Sequence, residues 1–329
     1  MSPLLSICIP TYNRELFLKE CLNSISEQIC KNDPIEVVIS DNASTDNTSE
    51  LVSSFNDKLN LKYVINEKNI GFDANCLNVV KHATGSYCLI LGSDDCLYKE
   101  AIGKILWIIR GDKSDLIHYG YTQCGIDIKD VKCNFPVNNK SSTINTRNES
   151  LYTYLVGMNN ISNLFAFIST FVFRRSMWDA IQDKEKYIGS QYIHLFVIYS
   201  ILHNGCKIFS VPECLVYARG NNPNEWNSEP GKFLSLDIKT FNRIVVDIFS
   251  HEQSAYKAFG CVFKKQYTYK GILSLLATTG AYHVDANLKL LKKFGYNKLF
   301  LFFIPYVINN SKFKCVLKKV ISSYRLLFK

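Results

Sequence analysis

Asp94 and Asp95 stand side by side just after the apolar run Tyr87-Cys88-Leu89-Ile90-Leu91, with only Gly92 and Ser93 between. A short apolar run bounded by turn residues predicts a strand buried on both faces of a sheet. The carboxyl end of such a strand is where open α/β sheets hold ligands. Adjacent carboxylates repel each other, and a cation or a cationic ligand relieves that repulsion. Hard oxygen donors suit Mg2+ or Mn2+, and a metal-bound diphosphate would supply the compensation. The alternative is a polar turn with both acids in water. The chain has neither G-x-G-x-x-G nor G-x-x-x-x-G-K-[ST]. Bound phosphates would then be neutralised by a metal and by Arg or Lys.

The elements that must position this pair repeat one pattern. Leu4 to Ile9 is a buried strand followed by Pro10-Thr11-Tyr12-Asn13-Arg14, and a helix from about Glu15 to Gln28 carries Leu18, Leu22 and Ile25 on one face. Ile35 to Ile39 is a second strand. The polar loop from Asp41 to Thr48 offers Ser44 or Thr45 as N-cap of a short helix. Leu61 to Ile65 is a third strand, and Asn69-Ile70-Gly71 turns into a helix from about Phe72 to Ala83. Strands alternating with helices imply right-handed βαβ units in a mainly parallel α/β sheet, with the polar loops gathered at one edge. After Asp95 the pattern loosens. Leu164 to Phe173 reads as a strand, Ser176 to Gln182 and Gln191 to His203 as helices, Lys207 to Val211 as a strand, Leu215 to Ala218 as the stretch leading into Arg219-Gly220, and the remainder as mostly helical.

The chain has 329 residues and a net charge of +9. Between Ala286 and Lys329 there are ten Lys or Arg and no Asp or Glu, so the basic character belongs to this stretch. A nucleic-acid enzyme would carry it around the cleft, and no nucleic-acid partner is expected. The twelve Cys are scattered without C-x-x-C pairs or zinc spacing, the usage of a reducing compartment. No signal-peptide pattern precedes the first strand, and no apolar run reaches the ~18 residues of a spanning helix. Leu299 to Ile308 is apolar but interrupted by Pro305, and behind it basic and apolar residues alternate up to Lys329. This is the pattern of a segment lying in a membrane interface.

Leu5 to Arg14, Asp41 to Thr48, Asn69 to Asn75 and Ser93 to Asp95 together resemble the four signature blocks of family 2 glycosyltransferases. That family has the GT-A fold and binds a nucleotide sugar with a divalent metal. Within it the chain is most similar to bacterial O-antigen abequosyltransferases and related dideoxyhexosyltransferases, through Trp178 to Ile181, Tyr187 to Ser190, Tyr192, His194 and Arg219-Gly220. The resemblance implies that Pro10, Thr11 and Arg14 line the nucleotide pocket. Asp41 would sit at the base with Asn42 and Ser44 nearby, and Asn69, Gly71 and Asn75 would border base and ribose. Asp95 would be the principal ligand of Mg2+ or Mn2+, with Asp94 at the ribose or behind the metal. The family usually has an acid two places before this pair, where this chain has Gly92 and Ser93.

Glycosyl transfer needs the leaving diphosphate stabilised and the acceptor hydroxyl deprotonated. The family usually places its base in a Glu-Asp pair opening the helix near residue 191, and Gly189 to His194 contains no carboxylate. His194 is the expected substitute, with Asp183 and Glu185 in reserve; Arg219 is expected at phosphate or acceptor. The missing carboxylate also admits a mechanism other than straightforward inversion. The implied organisation is a GT-A domain over 1–225 (nucleotide half 1–112, acceptor half 113–225), a helical region over 226–298 and a basic amphipathic membrane-associating tail over 299–329. The implied partners are a CDP-, UDP- or GDP-sugar and an undecaprenyl-diphosphate-linked oligosaccharide, met as a peripheral protein at the cytoplasmic face of the bacterial inner membrane. A nucleotidyltransferase, or a non-catalytic sugar- or membrane-binding relative, are the rival readings.

Overall fold

The computed structural model describes residues 2–29, 32–147, 150–220, 232–279 and 287–310. The expected boundary near residue 225 and the basic residues from Lys312 onward lie outside them. The chain divides into two compact units, residues 1–151 with 162–221, and residues 152–161 with 222–329.

The first unit is built on one ten-stranded sheet. Its strands are β1 (Leu5–Thr11), β2 (Ile35–Asp41), β3 (Leu61–Ile65), β4 (Tyr87–Ile90), β5 (Cys96–Leu97), β6 (Leu116–Cys124), β7 (Val131–Phe135), β8 (Ser142–Asn145), β9 (Phe171–Arg174) and β10 (Lys207–Arg219). The order is β3-β2-β1-β4-β9-β6-β10-β5, with β7 on β6 and β8 on β10. The first four strands are mutually parallel. β9 then enters antiparallel to both β4 and β6, so the sheet is mixed beyond β4. The chain passes from β1 to β2 on one side and reaches β4 on the other. The space above β1 is therefore a topological switch point, the place where such sheets bind ligands.

Alternation along the buried strands sorts the helices. Leu5, Ile7, Ile9, Val37, Ile39 and Leu89 pack with α1 (Glu15–Ser26), α2 (Thr48–Ser53) and α4 (Ala101–Gly111) in one apolar cluster. On the other face α3 (Phe72–Lys81) brings Cys76 close to Cys8. Burial, and then Cys88, Glu36 and Cys76, push the Cys8 thiol well up, so it stays protonated and inert. Glu36 is buried beneath the same strands, accepting from Ser6 Oγ at 2.5 Å, Thr84 N at 2.6 Å and Gly85 N at 3.1 Å. α6 (Arg175–Ala180) and α7 (Ile193–Asn204) follow β9. α7 is buried from Ile193 through Tyr199, as expected of a helix apolar on every side.

Two local expectations are corrected. Leu164 to Phe173 is not one strand. It forms a π-helical turn at Ser162–Ala166, with Phe165 at φ 64°, then a 3-10 turn at Ile168–Thr170, and only then β9. The Phe-rich run is interrupted by two hydroxyls, Ser169 and Thr170, that the turn carries inward. Neither Ser44 nor Thr45 caps α2; Asp46 Oδ1 accepts from Thr48 N at 3.2 Å and Thr48 Oγ1 at 2.6 Å instead.

The second unit is helical: the end of α5 (Ser150–Val156), α8 (Lys232–Asp247), α9 (Gln253–Gln266), α10 (Tyr269–Thr279), α11 (Leu288–Lys293) and α12 (Lys298–Asn309). Phe241, Phe259, Phe263 and Phe294 form its aromatic centre. Gly260 lets α9 approach closely, since a Cβ there would lie 2.2 Å from the Phe294 carbonyl oxygen. Gly260→Ala is expected to destabilise the protein by about 1–3 kcal/mol through overpacking, measured by denaturant unfolding, whereas Gly103→Ala, at an open position, leaves the midpoint in place or raises it.

Candidate active site

The loops after β1 and β2 are laced together. Asn13 N–H donates to Ser44 Oγ at 2.9 Å, and Thr45 N–H donates to Asn13 Oδ1 at 2.8 Å. Asn42 N–H continues the ladder onto the Thr11 carbonyl at 2.9 Å. Pro10 and Thr11 close the floor between them, both buried. Thr11 Oγ1 is buried with no hydrogen-bond partner among the described residues, a polar atom that a ligand above β1 would satisfy. Arg14 lies half-buried, its guanidinium 5.7 Å from the centre of the Phe17 ring.

Asp41 ends β2 with its carboxylate buried and directed. Oδ1 accepts from Ser44 N at 2.8 Å and Oδ2 from Tyr63 Oη at 2.5 Å. Burial, followed by this contact, pushes the Tyr63 phenol well up, so it stays a donor. Beside Asp41 runs a closed amide network. Asn42 Nδ2 donates to Asn69 Oδ1 at 2.7 Å, and Asn66 Nδ2 donates to Asn42 Oδ1 at 3.1 Å and Asn75 Oδ1 at 2.9 Å. Asn78 Nδ2 reaches Asn66 Oδ1 at 2.8 Å, and Asn75 Nδ2 reaches the Ser40 carbonyl at 2.9 Å. Gly71 N–H donates to Asn69 Oδ1 at 2.9 Å, and Gly71 starts α3 at φ 84°. The network fixes Asn42, Asn69 and Asn75 as one rim. Sequence reasoning missed Tyr63, Asn66 and Asn78; the signal was the recurrence of Asn at 66, 69, 75 and 78.

Strand register brings the acid pair to Arg219. β5 pairs antiparallel with β10, Cys96 opposite Tyr217 and Leu97 opposite Val216, and continuing that register sets Asp94 against Arg219. Arg219 N–H donates to Asp95 Oδ1 at 3.2 Å and Nε to the Asp94 carbonyl at 2.9 Å. Nη2 meets Glu20 Oε2 at 2.7 Å, Nη1 donates to the Ile126 carbonyl, and the guanidinium covers the Phe17 ring at 4.7 Å. Its side chain is 1% exposed. Arg219 was expected at phosphate or acceptor; here its guanidinium is enclosed by Glu20, Ile126 and Phe17, and the residue holds the Asp94 carbonyl and, through its main chain, the Asp95 carboxylate.

Asp95 is 3% exposed. Its Oδ2 accepts from Ser169 Oγ at 2.6 Å, and Ser169 Oγ in turn accepts from Gly92 N at 2.9 Å. Burial, then the Asp94 charge, push the Asp95 carboxyl well above the usual range, while Ser169 and Arg219 oppose. Asp94 is the more exposed of the two. A Cβ on Gly92 would lie 2.6 Å from Asp95 Oδ2 and 3.2 Å from Asp94 Oδ1, so both carboxylates converge over that glycine. Two hard oxygen donors facing one spot, with repulsion left in the pair, fit a divalent cation. Among the described residues no group of three or more His, Cys, Asp or Glu is placed to hold a metal. The pair would need oxygens from a bound diphosphate or water, as Mg2+ sites commonly do.

The segment before α7 holds a different arrangement from the expected one. His194 is 2% exposed; its Nε2 lies 3.2 Å from the Ala166 carbonyl, and its ring stacks on Phe171. Burial pushes its pKa down to about 4. His194 was expected as the base; here its imidazole is enclosed, with Nε2 facing the Ala166 carbonyl and the ring against Phe171. Asp183 and Glu185 are exposed on a 3-10 turn. The carboxylate that does serve this segment comes from α3. Asp73, 2% exposed, accepts from Gln191 N at 2.8 Å and Ile193 N at 3.1 Å. It thereby caps α7 and holds Gln191 at φ 64°. Its role was not legible, because its partners lie 118 and 120 residues away.

Asp73→Ala strands buried backbone donors and is expected to lower unfolding stability by about 1–3 kcal/mol, read by chemical denaturation, with transfer activity falling as the 189–193 segment loosens. His194 gives a pH signature. Its folded pKa is depressed, so below about pH 6.5 the unfolded chain takes a proton that the native protein refuses until about pH 4. That part of the stability is present above pH 6.5 and lost as pH falls. The slope of stability against pH between 6 and 4.5 should be shallower in His194→Phe by about 1.4 kcal/mol per pH unit.

A sequence model of the family described as Glycosyl transferase family 2 matches residues 6–181. The chain is 33% identical over 275 residues to abequosyltransferase RfbV of Salmonella typhimurium, covering 80% of each protein. It is 37% identical over 113 residues to the poly(ribitol-phosphate) β-N-acetylglucosaminyltransferase TarS of Staphylococcus aureus, 34% of this chain and 20% of TarS. In fold it matches S. aureus TarS 1–349 in complex with UDP-GlcNAc, with a TM-score of 0.66 at 19% identity over 99% of this chain and 92% of that one. It also matches the mannosyltransferase PcManGT of Pyrobaculum calidifontis in complex with GDP-Man and Mn2+, with a TM-score of 0.52 at 17% identity over 96% and 85%. A family match over more than half the sequence, and a relative one-third identical over four-fifths of it, identify the chain as a glycosyltransferase that belongs to glycosyl transferase family 2.

Proposed function

We propose that this glycosyltransferase moves a 3,6-dideoxyhexose such as abequose, from a CDP-sugar, onto an undecaprenyl-diphosphate-linked O-antigen oligosaccharide, working peripherally at the cytoplasmic face of the bacterial inner membrane. The observation that carries this reading is the similarity to abequosyltransferase RfbV, which spans four-fifths of both chains. The nucleotide lies above β1, its base toward Asp41 and its ribose along the Asn42, Asn69 and Asn75 rim. Asp95, expected as the principal ligand of Mg2+ or Mn2+, is buried against Ser169 and the Arg219 main chain; this reading therefore sets the more exposed Asp94 nearest the ion, with Asp95 behind it. A cation bound there supplies neutralisation of the charge that grows on the leaving diphosphate. Arg219, Ser169 and Glu20 keep the two carboxylates aimed, and Thr11 Oγ1 and Arg14 face the phosphate side. Binding of UDP-GlcNAc by TarS 1–349 and of GDP-Man with Mn2+ by PcManGT supports the choice of a nucleotide-sugar donor.

A thermal-shift series with CDP, UDP and GDP, each with and without Mn2+, tests the donor site. CDP with Mn2+ is expected to raise Tm most, and the metal-dependent part should vanish in Asp94→Asn. Transfer by Asp94→Asn should fall about 100-fold or more, the scale of losing one electrostatic contact to a transition state. A larger shift with UDP or GDP would overturn the cytidine assignment, and no shift with any of the three would overturn the nucleotide site.

A further inference from the structure

The second unit carries an apolar surface that its own packing leaves open. Asn297 caps α12 by accepting from Leu299 N at 2.8 Å. One side of the helix is then spent on the unit's interior: Leu301 and Ile304 are buried, and the Phe300 ring packs edge-on against Tyr269 at 4.6 Å. The other side presents Leu299 at 70%, Phe302 at 76% and Phe303 at 57% exposure. Spacings of i, i+3 and i+4 place the three on one stripe. Single exposed apolar side chains are ordinary; three large ones on one stripe mark a surface meant to be covered.

The surrounding charge says what covers it. Lys289, Lys292 and Lys293 of α11 and Lys298 at the start of α12 are exposed, and α11 packs against α12. From Ala286 to Lys329 no acidic residue offsets them. A second copy of this chain would bring the same cations against them. Residues 311–329, with six Lys or Arg of their own, would do likewise. An anionic surface with an apolar interior meets both demands at once.

We infer that Leu299, Phe302 and Phe303 insert into the headgroup–acyl boundary of an anionic bilayer while Lys289, Lys292, Lys293 and Lys298 rest on lipid phosphates. α12 has 12 residues, about 18 Å at 1.5 Å per residue. That is too short to cross ~30 Å of hydrocarbon, so the helix lies along the surface. No helix among the described residues is long and apolar enough to cross a membrane. The inference deepens the membrane-surface part of the proposed function by naming the face that makes contact.

The test is flotation of the full-length protein with phosphatidylcholine vesicles and with vesicles of phosphatidylcholine and phosphatidylglycerol in a 7:3 ratio, without nucleotide sugar. The wild-type chain is expected to partition at least tenfold better onto the anionic vesicles. Leu299→Ser combined with Phe302→Ser and Phe303→Ser should lose at least tenfold of that partition while Tm holds or rises. A second measurement covers a triple variant that misfolds: in Phe302→Trp the added fluorescence should shift blue and be quenched by brominated anionic lipid. Absence of wild-type binding, equal binding by the triple variant, or no quenching of Phe302→Trp would each overturn the inference. So would a wild-type dimer that the triple variant converts to monomer, which would assign the stripe to a second copy. Vesicle binding without sugar transfer would leave this inference standing and count against the proposed activity; transfer without vesicle binding would do the reverse.

Discussion

One residue, Arg219, holds the acid pair in place from two sides. Its guanidinium is locked by Glu20, the Ile126 carbonyl and the Phe17 ring and donates through Nε to the Asp94 carbonyl, while its main-chain N–H donates to the Asp95 carboxylate. Everything that delivers Arg219 to this point matters to the site. β10 is parallel to β6 with irregular register at Ser210/Cys214 and at Cys214/Val216, and it stays paired out to Arg219 opposite Cys124, while its other edge takes the two-residue strand β5. That strand begins at the residue after Asp95, so the clamp and the acids are set by the same short ladder. A positive charge that is enclosed and paired is costly to leave unpaired. Glu20, on the far side of the guanidinium, is therefore part of the site although it touches neither acid.

Much of the donor side was legible because it is local. Each of the first four parallel strands announces itself as an apolar run and ends in a polar loop, and Thr11, Asp41, Asn69 and the acid pair follow the strand ends within a few residues. What was not legible is what those residues are bound to. Ser169 lies 74 residues from Asp95, and Arg219 124 residues from it. Such pairings are fixed by sheet order, which periodicity does not encode. The Phe-rich run around Ser169 illustrates the loss. Its hydropathy reads as a strand, yet Phe165 takes a left-handed backbone and the two hydroxyls turn inward.

The same limitation applies to the surroundings of His194 and Arg219. His194 was attractive because an imidazole titrates near neutrality. It lies enclosed among Phe171, Tyr192 and the Ala166 carbonyl, and burial lowers its pKa. The carboxylate beside this segment belongs to Asp73, in the first turn of the helix that Gly71 opens. Through Asp73 the helix that follows the Asn69–Gly71 turn is hydrogen-bonded to the segment that opens α7.

The insertion of β9 between β4 and β6 bears on how far this protein can be taken apart. The four parallel strands β1 to β4 and the remainder of the sheet do not meet along a seam; they are stitched by a strand borrowed from residues 171–174, antiparallel to both neighbours. Ser169, which orients Asp95, sits in the turn leading into that stitch. An N-terminal fragment ending near residue 112 would lack both the partner for β4 and the hydroxyl for Asp95. Chimeras that exchange donor modules between such enzymes would have to carry this distant strand with them, since modularity here follows the sheet rather than the order of the chain.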